Sequence, residues 1–145
     1  MKTITLLFIS LMFIIGCDVE DETNDPANIY YNLAFQGIQT GVLYQQHHIV
    51  RNQTHLSSLL ATSELMGPEP ATDFNSNMFI VVFSASNPCN TTTVSSVYEL
   101  SGSIKVNINI STAGSDVCLP VIGGTYMFIE LEQATKPVSV NFEFE

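Results

Sequence analysis

The sequence predicts a mainly β domain of the α+β class: an antiparallel sheet or sandwich of about six or seven strands with one packed helix. Three observations carry this. Ser103 to Ser111 and Val138 to Phe144 alternate apolar and polar residues, the mark of strands with one face in the core. Met78 to Phe83 is a continuous apolar run of six, which reads as a central strand buried on both faces. Helical spacing occurs in a single stretch, around Leu56, Leu59 and Leu60.

Composition supports a folded domain. The chain has 145 residues, 46% hydrophobic and only 12% charged, so it is far from the composition of a disordered segment. The balance of 4 basic and 14 acidic residues gives a net charge of −10. Arg51, Lys105 and Lys136 cannot build a basic patch, which excludes a nucleic-acid partner. About 119 residues can bury a real core without help.

Taken in order, Ile29 to Phe35 and Gly41 to Val50 read as strands, joined by a Gly-containing turn, Gln36-Gly37-Ile38-Gln39-Thr40. A helix follows over about Thr54 to Met66. Asn52 or Thr54 accepts from its free backbone N–H groups, and Gly67-Pro68 ends it. Gly67-Pro68-Glu69-Pro70 is a stiff loop. After the central strand come Val94 to Leu100, a Ser101-Gly102 turn, and Ser103 to Ser111, with Ile104, Val106, Ile108 and Ile110 on one face. Thr125 to Glu132 is a strand with Met127, Ile129 and Leu131 on a shared face. The last strand sets Val138, Val140, Phe142 and Phe144 against Ser139, Asn141 and Glu143. Short connections favour antiparallel hairpins.

The first 26 residues are not part of this domain. Lys2 precedes an apolar run from Ile4 to Ile15, broken only by Thr5 and Ser10. At about 1.5 Å per residue it is too short to span a bilayer core of about 30 Å, but it fits a secretory signal over residues 1–16. Ile14-Ile15-Gly16-Cys17 resembles the bacterial lipobox, which implies cleavage before Cys17 and lipidation of its side chain. Several acyl chains would then anchor the protein to a membrane. Residues 17–26 hold five carboxylates in the eight positions from Asp18 to Asp25 and read as a solvated tether. An acidic cluster just after the lipidated Cys resembles the surface-export signal of Bacteroidetes lipoproteins. The implied location is the cell envelope, lipid-anchored in the outer membrane, facing the periplasm or the surface.

Cys89 and Cys118 are an even pair in an exported chain, which suits a disulfide. Closing that loop would stabilise by roughly 3–4 kcal/mol on the chain-entropy model. Two separate thiols are the alternative. No metal site is expected. Neither Cys has a close second ligand, and adjacent His47 and His48 point to opposite faces of a strand, leaving only a pairing of one of them with His55. No nucleophile elbow, zinc-binding His-Glu-x-x-His or phosphate loop is present. Asp73 could pair with another carboxylate, such as Asp116 or Glu99, for acid–base chemistry, but any acidic chain supplies such pairs by chance. The sequence therefore predicts neither an enzyme nor a cofactor.

The order of features carries a further resemblance. Gly37-Ile38-Gln39-Thr40-Gly41 precedes a strand into Ile49-Val50-Arg51-Asn52 and the leucine-bearing helix. Thr72-Asp73-Phe74-Asn75 then leads into the Met78 to Phe83 strand. Asp116-Val117-Cys118, Gly124-Thr125-Tyr126-Met127-Phe128-Ile129 and Lys136-Pro137 follow. This order, over about residues 37–142, resembles the PrcB-like family of lipoproteins, named for the accessory subunit of a surface protease complex. The chain departs from the family in two places. Asn87-Pro88-Cys89-Asn90-Thr91-Thr92-Thr93 stands where a Gly-Gly-Tyr-like turn is usual, and the helix has no Trp. The resemblance implies a non-catalytic accessory or stabilising lipoprotein that binds another exported protein, such as a protease. The candidate contacts are the loop Asn87–Thr93, with Asn87, Pro88, Thr91 and Thr92, and the loop Gly67–Asn75, with Asp73 and Phe74. Two alternatives stand beside it. Asn87-Pro88 and the Thr run are similar to chagasin-type protease inhibitors, and a small exported β domain also suits a small-ligand or glycan-binding lipoprotein.

Overall fold

A computed structural model describes residues 26–40, 44–63, 65, 68–85, 90–112 and 123–145. Among them are eight strands and one helix: β1 (Ala27–Asn28), β2 (Asn32–Thr40), β3 (Gln46–Val50), α1 (Gln53–Thr62), β4 (Asn77–Ser84), β5 (Asn90–Leu100), β6 (Ser103–Thr112), β7 (Gly123–Glu132) and β8 (Val138–Phe144). They form two four-stranded sheets, one ordered β1-β5-β6-β8 and the other β2-β7-β4-β3. The mainly β class with one helix is thus the observed one. All pairings are antiparallel except β6 with β8, which is parallel.

Side-chain alternation decides how the layers stack. Met78, Ile80 and Val82 of β4 and Met127, Ile129 and Leu131 of β7 face the other sheet. There they meet Val97 of β5 and Ile104, Val106, Ile108 and Ile110 of β6. The intervening residues of the same strands, Phe79, Val81, Phe83, Tyr126 and Phe128, face the opposite way. Leu56 and Leu59 of α1 cover that side, with Leu60, Leu65 and Phe74 against it. The second sheet is therefore a middle layer, apolar on both faces, which explains the unbroken apolar run at Met78–Phe83. Rings lock the helix side: Phe79 meets Phe128 edge-on at 5.5 Å and Phe74 at 5.8 Å.

Several local expectations are corrected. The segment Gln36–Thr40 is not a turn but the second half of β2, paired with β7 from Gln36↔Met127 to Thr40↔Gly123. Gly37 is there for space. A Cβ on it would lie 2.6 Å from the Tyr126 ring, and a Gly inside a strand commonly marks such an approach. The first strand starts at Asn32 rather than Ile29, and a separate two-residue β1 precedes it. The helix ends at Thr62, not Met66. Ser63 takes extended dihedrals and donates its N–H to Leu59 O, so the chain leaves the helix before reaching Gly67. Met66 and Gly67 lie outside the described residues, as do Gly41 to Leu43. At the other end Asn52 is the N-cap, its Oδ1 accepting from His55 N at 2.8 Å.

The connection after β4 is also shorter than the sequence suggests. Thr91 and Thr92 lie in β5, which starts at Asn90 rather than Val94. Thr91 pairs with Ser111 and Thr92 with Ile110. A Thr run has high strand propensity, and the paired β6 recruits it. The turn at Ser101-Gly102 is as expected, with φ of 50° and 71° at its two residues, the left-handed pair that a two-residue hairpin favours.

Candidate functional site

The two proposed contact loops do not come together. Asp73 and Phe74 precede the start of β4, whereas Thr91 follows its end. Eight strand residues separate them, a span of roughly 25 Å at about 3.3 Å per residue. Asp73 serves its own turn. Its Oδ1 accepts from Asn75 N at 3.0 Å and Asn75 Nδ2 at 2.9 Å, and Oδ2 from Ser76 Oγ at 3.1 Å. Those bonds, the Asn75 N–H first among them, hold its carboxyl below the ordinary value. Phe74 is half-buried against Phe79. Thr92 is buried between the sheets, where its Oγ1 accepts from Thr125 Oγ1 at 3.0 Å and its carbonyl accepts from Gln36 Nε2 at 3.0 Å. Of these four residues, Thr91 offers the most usable side chain to a partner.

Cys17, Cys89, Cys118, Asn87, Pro88 and Asp116 lie outside the described residues, so neither lipidation nor a Cys89–Cys118 bridge is described. His47 is exposed, while His48 on the opposite face sits edge-on to Phe83 at 5.7 Å. Burial, and then the charges of His55 and His47, push the His48 pKa down. No group of three His, Cys, Asp or Glu side chains is placed to hold a metal among the described residues. Glu99 pairs with Lys136 at 2.5 Å instead of with Asp73.

Two surfaces emerge that the sequence did not single out. The first is the outer face of the β1-β5-β6-β8 sheet. In cross-strand order it carries Thr91 and Ser111, Thr93 and Asn109, Ser96 and Asn107, and Tyr98 and Lys105. Ser139, Asn141 and Glu143 of β8 continue the same rows beside Lys105, Asn107 and Asn109. Hydroxyls and amides dominate. Lys105 and Glu143 are the only charges among these residues, in a chain of net charge −10. Asn107 Nδ2 donates to Ser96 Oγ at 3.1 Å across the rows, which keeps the face ordered. The sequence held the signal, the polar half of the β6 and β8 alternation, but only the register shows that the two halves are contiguous.

The second surface is a cleft of about 370 Å³ lined by Ile29, Tyr30, Asn32, Asn77, Glu130 and Glu132. Glu130 is held between Thr72, which donates a short hydrogen bond to Oε1, and the amides of Asn77 and Asn32 at 3.2 and 3.3 Å. Tyr30 stands at its rim, 90% exposed. The described chain enters beside this end of the sandwich, where Ala27 pairs with Glu99 next to the Ser101-Gly102 turn. The connection from β7 to β8 closes the same end. Arg51 Nε donates to Ala134 O at 2.9 Å, and Gln133 Nε2 donates to Arg51 O and Phe74 O.

No family model, no curated protein and no solved structure matches the chain.

Proposed function

We propose that this protein is a non-catalytic, lipid-anchored module of the cell envelope that binds another exported protein through the outer face of its β1-β5-β6-β8 sheet. The observation that carries this reading is the composition of that face. It is broad, and Thr, Ser and Asn dominate it, with Tyr98 as the one aromatic residue in its rows. Interface cores are depleted of Lys, Glu and Asp, and of Ser as well, but in evolved paratopes Ser and Asn supply adaptable hydrogen bonding and Tyr supplies rigid contact area. Cys17 supplies the anchor and the acidic stretch Asp18–Asp25 the spacer. The ordering of motifs that resembles PrcB-like lipoproteins supports the same role, that of an accessory subunit to an exported protein such as a protease.

The test is purification of the native protein in mild detergent with quantification of co-purifying proteins. The expected result is one exported protein in stoichiometric amount, reduced about tenfold by Thr93→Arg on the exposed β5 row of the face and retained by Asp73→Arg outside it. Equal recovery with both variants, or no stoichiometric partner, overturns the assignment. In parallel, Cys17→Ser should release the protein from membranes; membrane association of that variant refutes the anchor.

A second reading rests on the cleft at Tyr30. A carboxylate held by two amides beside an exposed aromatic ring suits a polyhydroxylated ligand such as a glycan. A thermal shift with one glycan of a panel, lost in Tyr30→Ala, would favour it. Of the residues behind the inhibitor alternative, Asn90–Thr93 are strand residues, and Asn87 and Pro88 lie outside the described residues.

A further inference from the structure

Four strands border the two sheets, and three of them carry a feature that discourages further pairing. β1 has two residues and covers only Tyr98 and Glu99 of β5, whose remaining border is broken by the register shift between Val94 and Ser96. β3 has five residues, with Gln46, His47 and His48 among them. β2 is interrupted by a register shift between Leu33 and Phe35. Short edges and bulges are the usual protection of a sheet border. β8 has none of these. It is seven residues long, regular in register from Val138 to Phe144, free of Pro and Lys, and carries Glu143 as its one charge.

The direction of its free backbone groups follows from the bonds that flank its ladder. Ile104 N donates to Pro137 O at 2.8 Å, and Glu145 N donates to Ile110 O at 3.1 Å. Bonding in a parallel pair recurs every second residue. Ser139, Asn141 and Glu143 therefore bond to β6, and Val138, Val140, Phe142 and Phe144 turn their N–H and C=O groups outward. Among the described residues nothing pairs with them. Their side chains face the inter-sheet core but are incompletely covered. Val138, Val140 and Phe142 are half-buried, and Phe144 is 67% exposed.

We propose that β8 pairs antiparallel with β8 of a second copy, in the register that places Asn141 opposite Asn141. Outward-facing residues must oppose outward-facing residues for the ladder to form. With the two-fold axis at Asn141, Val138 opposes Phe144 and Val140 opposes Phe142, so all four outward residues of each strand are used. Moving the axis to Val140 or Phe142 leaves one of them without a partner. In the proposed register the apolar row continues across the boundary and covers Phe144. On the outer face Ser139 meets Glu143 and Asn141 meets Asn141, so no like charges oppose each other. The edge is thus complementary to itself, as a two-fold contact requires.

The test uses the full-length chain purified in detergent. Residue 141 sits at a non-hydrogen-bonded pair, with Cα atoms about 4.5 Å apart, within disulfide range. Asn141→Cys should give a disulfide-linked dimer under mild oxidation, well above the wild-type background. Ser139→Cys alone should not, because position 139 and its copy lie about 14 Å apart along the strands. Sedimentation in density-matched detergent should show two chains for the wild type. Asn141→Asp sets two carboxylates face to face across the two-fold axis and should raise the dissociation constant about tenfold; it also loses the bond from Asn141 Nδ2 to Glu143 Oε1 within the strand, at 3.1 Å, so the melting temperature of the dilute monomer is measured beside it. Val140→Pro removes an outward N–H and should give single chains. A wild type that sediments as one chain overturns the proposal. So does crosslinking at 139 equal to that at 141, or an Asn141→Asp variant that dimerises as tightly as the wild type.

Discussion

Gly37→Ala should destabilise the protein, although the same change in an open strand would stabilise it. Replacing Gly by Ala ordinarily removes unfolded-state freedom, worth about 0.4–1 kcal/mol in favour of folding. Here the new methyl group would sit 2.6 Å from Cζ and Oη of Tyr126 and 2.7 Å from Cε1. The ring cannot simply swing aside. Tyr126 is 1% exposed and packs against Phe35 at 5.7 Å, Phe128 at 6.0 Å and Phe83 at 6.4 Å. Overpacking of a filled core costs about 1–3 kcal/mol, which exceeds the entropic gain. The net penalty is about 0.5–2 kcal/mol, and for a domain of this size the melting temperature should fall by about 2–8 °C. Urea unfolding followed by far-ultraviolet circular dichroism is the assay, since the chain has no Trp to report by fluorescence. In a Tyr126→Leu background the penalty should shrink below about 0.5 kcal/mol, because the atoms in conflict are gone. Unchanged or raised stability of Gly37→Ala in the otherwise native chain would refute the close-approach explanation.

Asn52→Ala should cost about 1 kcal/mol in urea unfolding, through loss of the cap on His55 N. Asp73 is hydrogen-bonded as a carboxylate, so its folded pKa lies below the ordinary 3.8. Its stabilisation is present above that value and lost as pH falls through the folded value. Asp73→Asn should therefore melt lower than wild type at neutral pH, with the gap closing in strong acid. His48 has a folded pKa below 6.5, so between the two values the unfolded chain binds more protons. Stability should rise as pH increases through that window, and His48→Gln should flatten the rise when melting is followed against pH.

Alternation was the most legible signal in the chain. The faces of β6 and β8 and the doubly buried β4 follow from residue patterns alone, because a strand's side chains have a fixed period of two and the burial is one-sided or complete. Three features were harder to see. Gly37 reads as a turn residue by type, and only the approach of Tyr126, 89 positions later in the chain, explains it as a strand residue. Asn90 to Thr93 carry no apolar alternation, and their strand state comes from pairing with β6. The helix stops at Thr62 without a glycine, because Ser63 leaves the helical region while still bonding to Leu59 O. The candidate surfaces were illegible for a related reason. Both are made by register between strands, and register is a property of pairs rather than of segments. The parallel pairing of β8 with β6 belongs to the same class, since the chain crosses from one sheet to the other through Gln133–Pro137.

The pairing of β2 with β7 also sets a clock. Asn32 and Glu130, joined side chain to side chain across these strands, are 98 positions apart. At a synthesis rate of about 5–20 residues per second, that interval takes roughly 5–20 s. Until β7 arrives, β2 has no neighbour, β4 has only β3, and the middle layer on which both cores depend does not exist. The hairpin of β5 and β6 can form early, but its apolar face has nothing to cover it. Non-local topologies of this kind fold slowly. A chain so ordered stays pliable through most of its synthesis and becomes rigid only when its last quarter, which holds β7 and β8, is available.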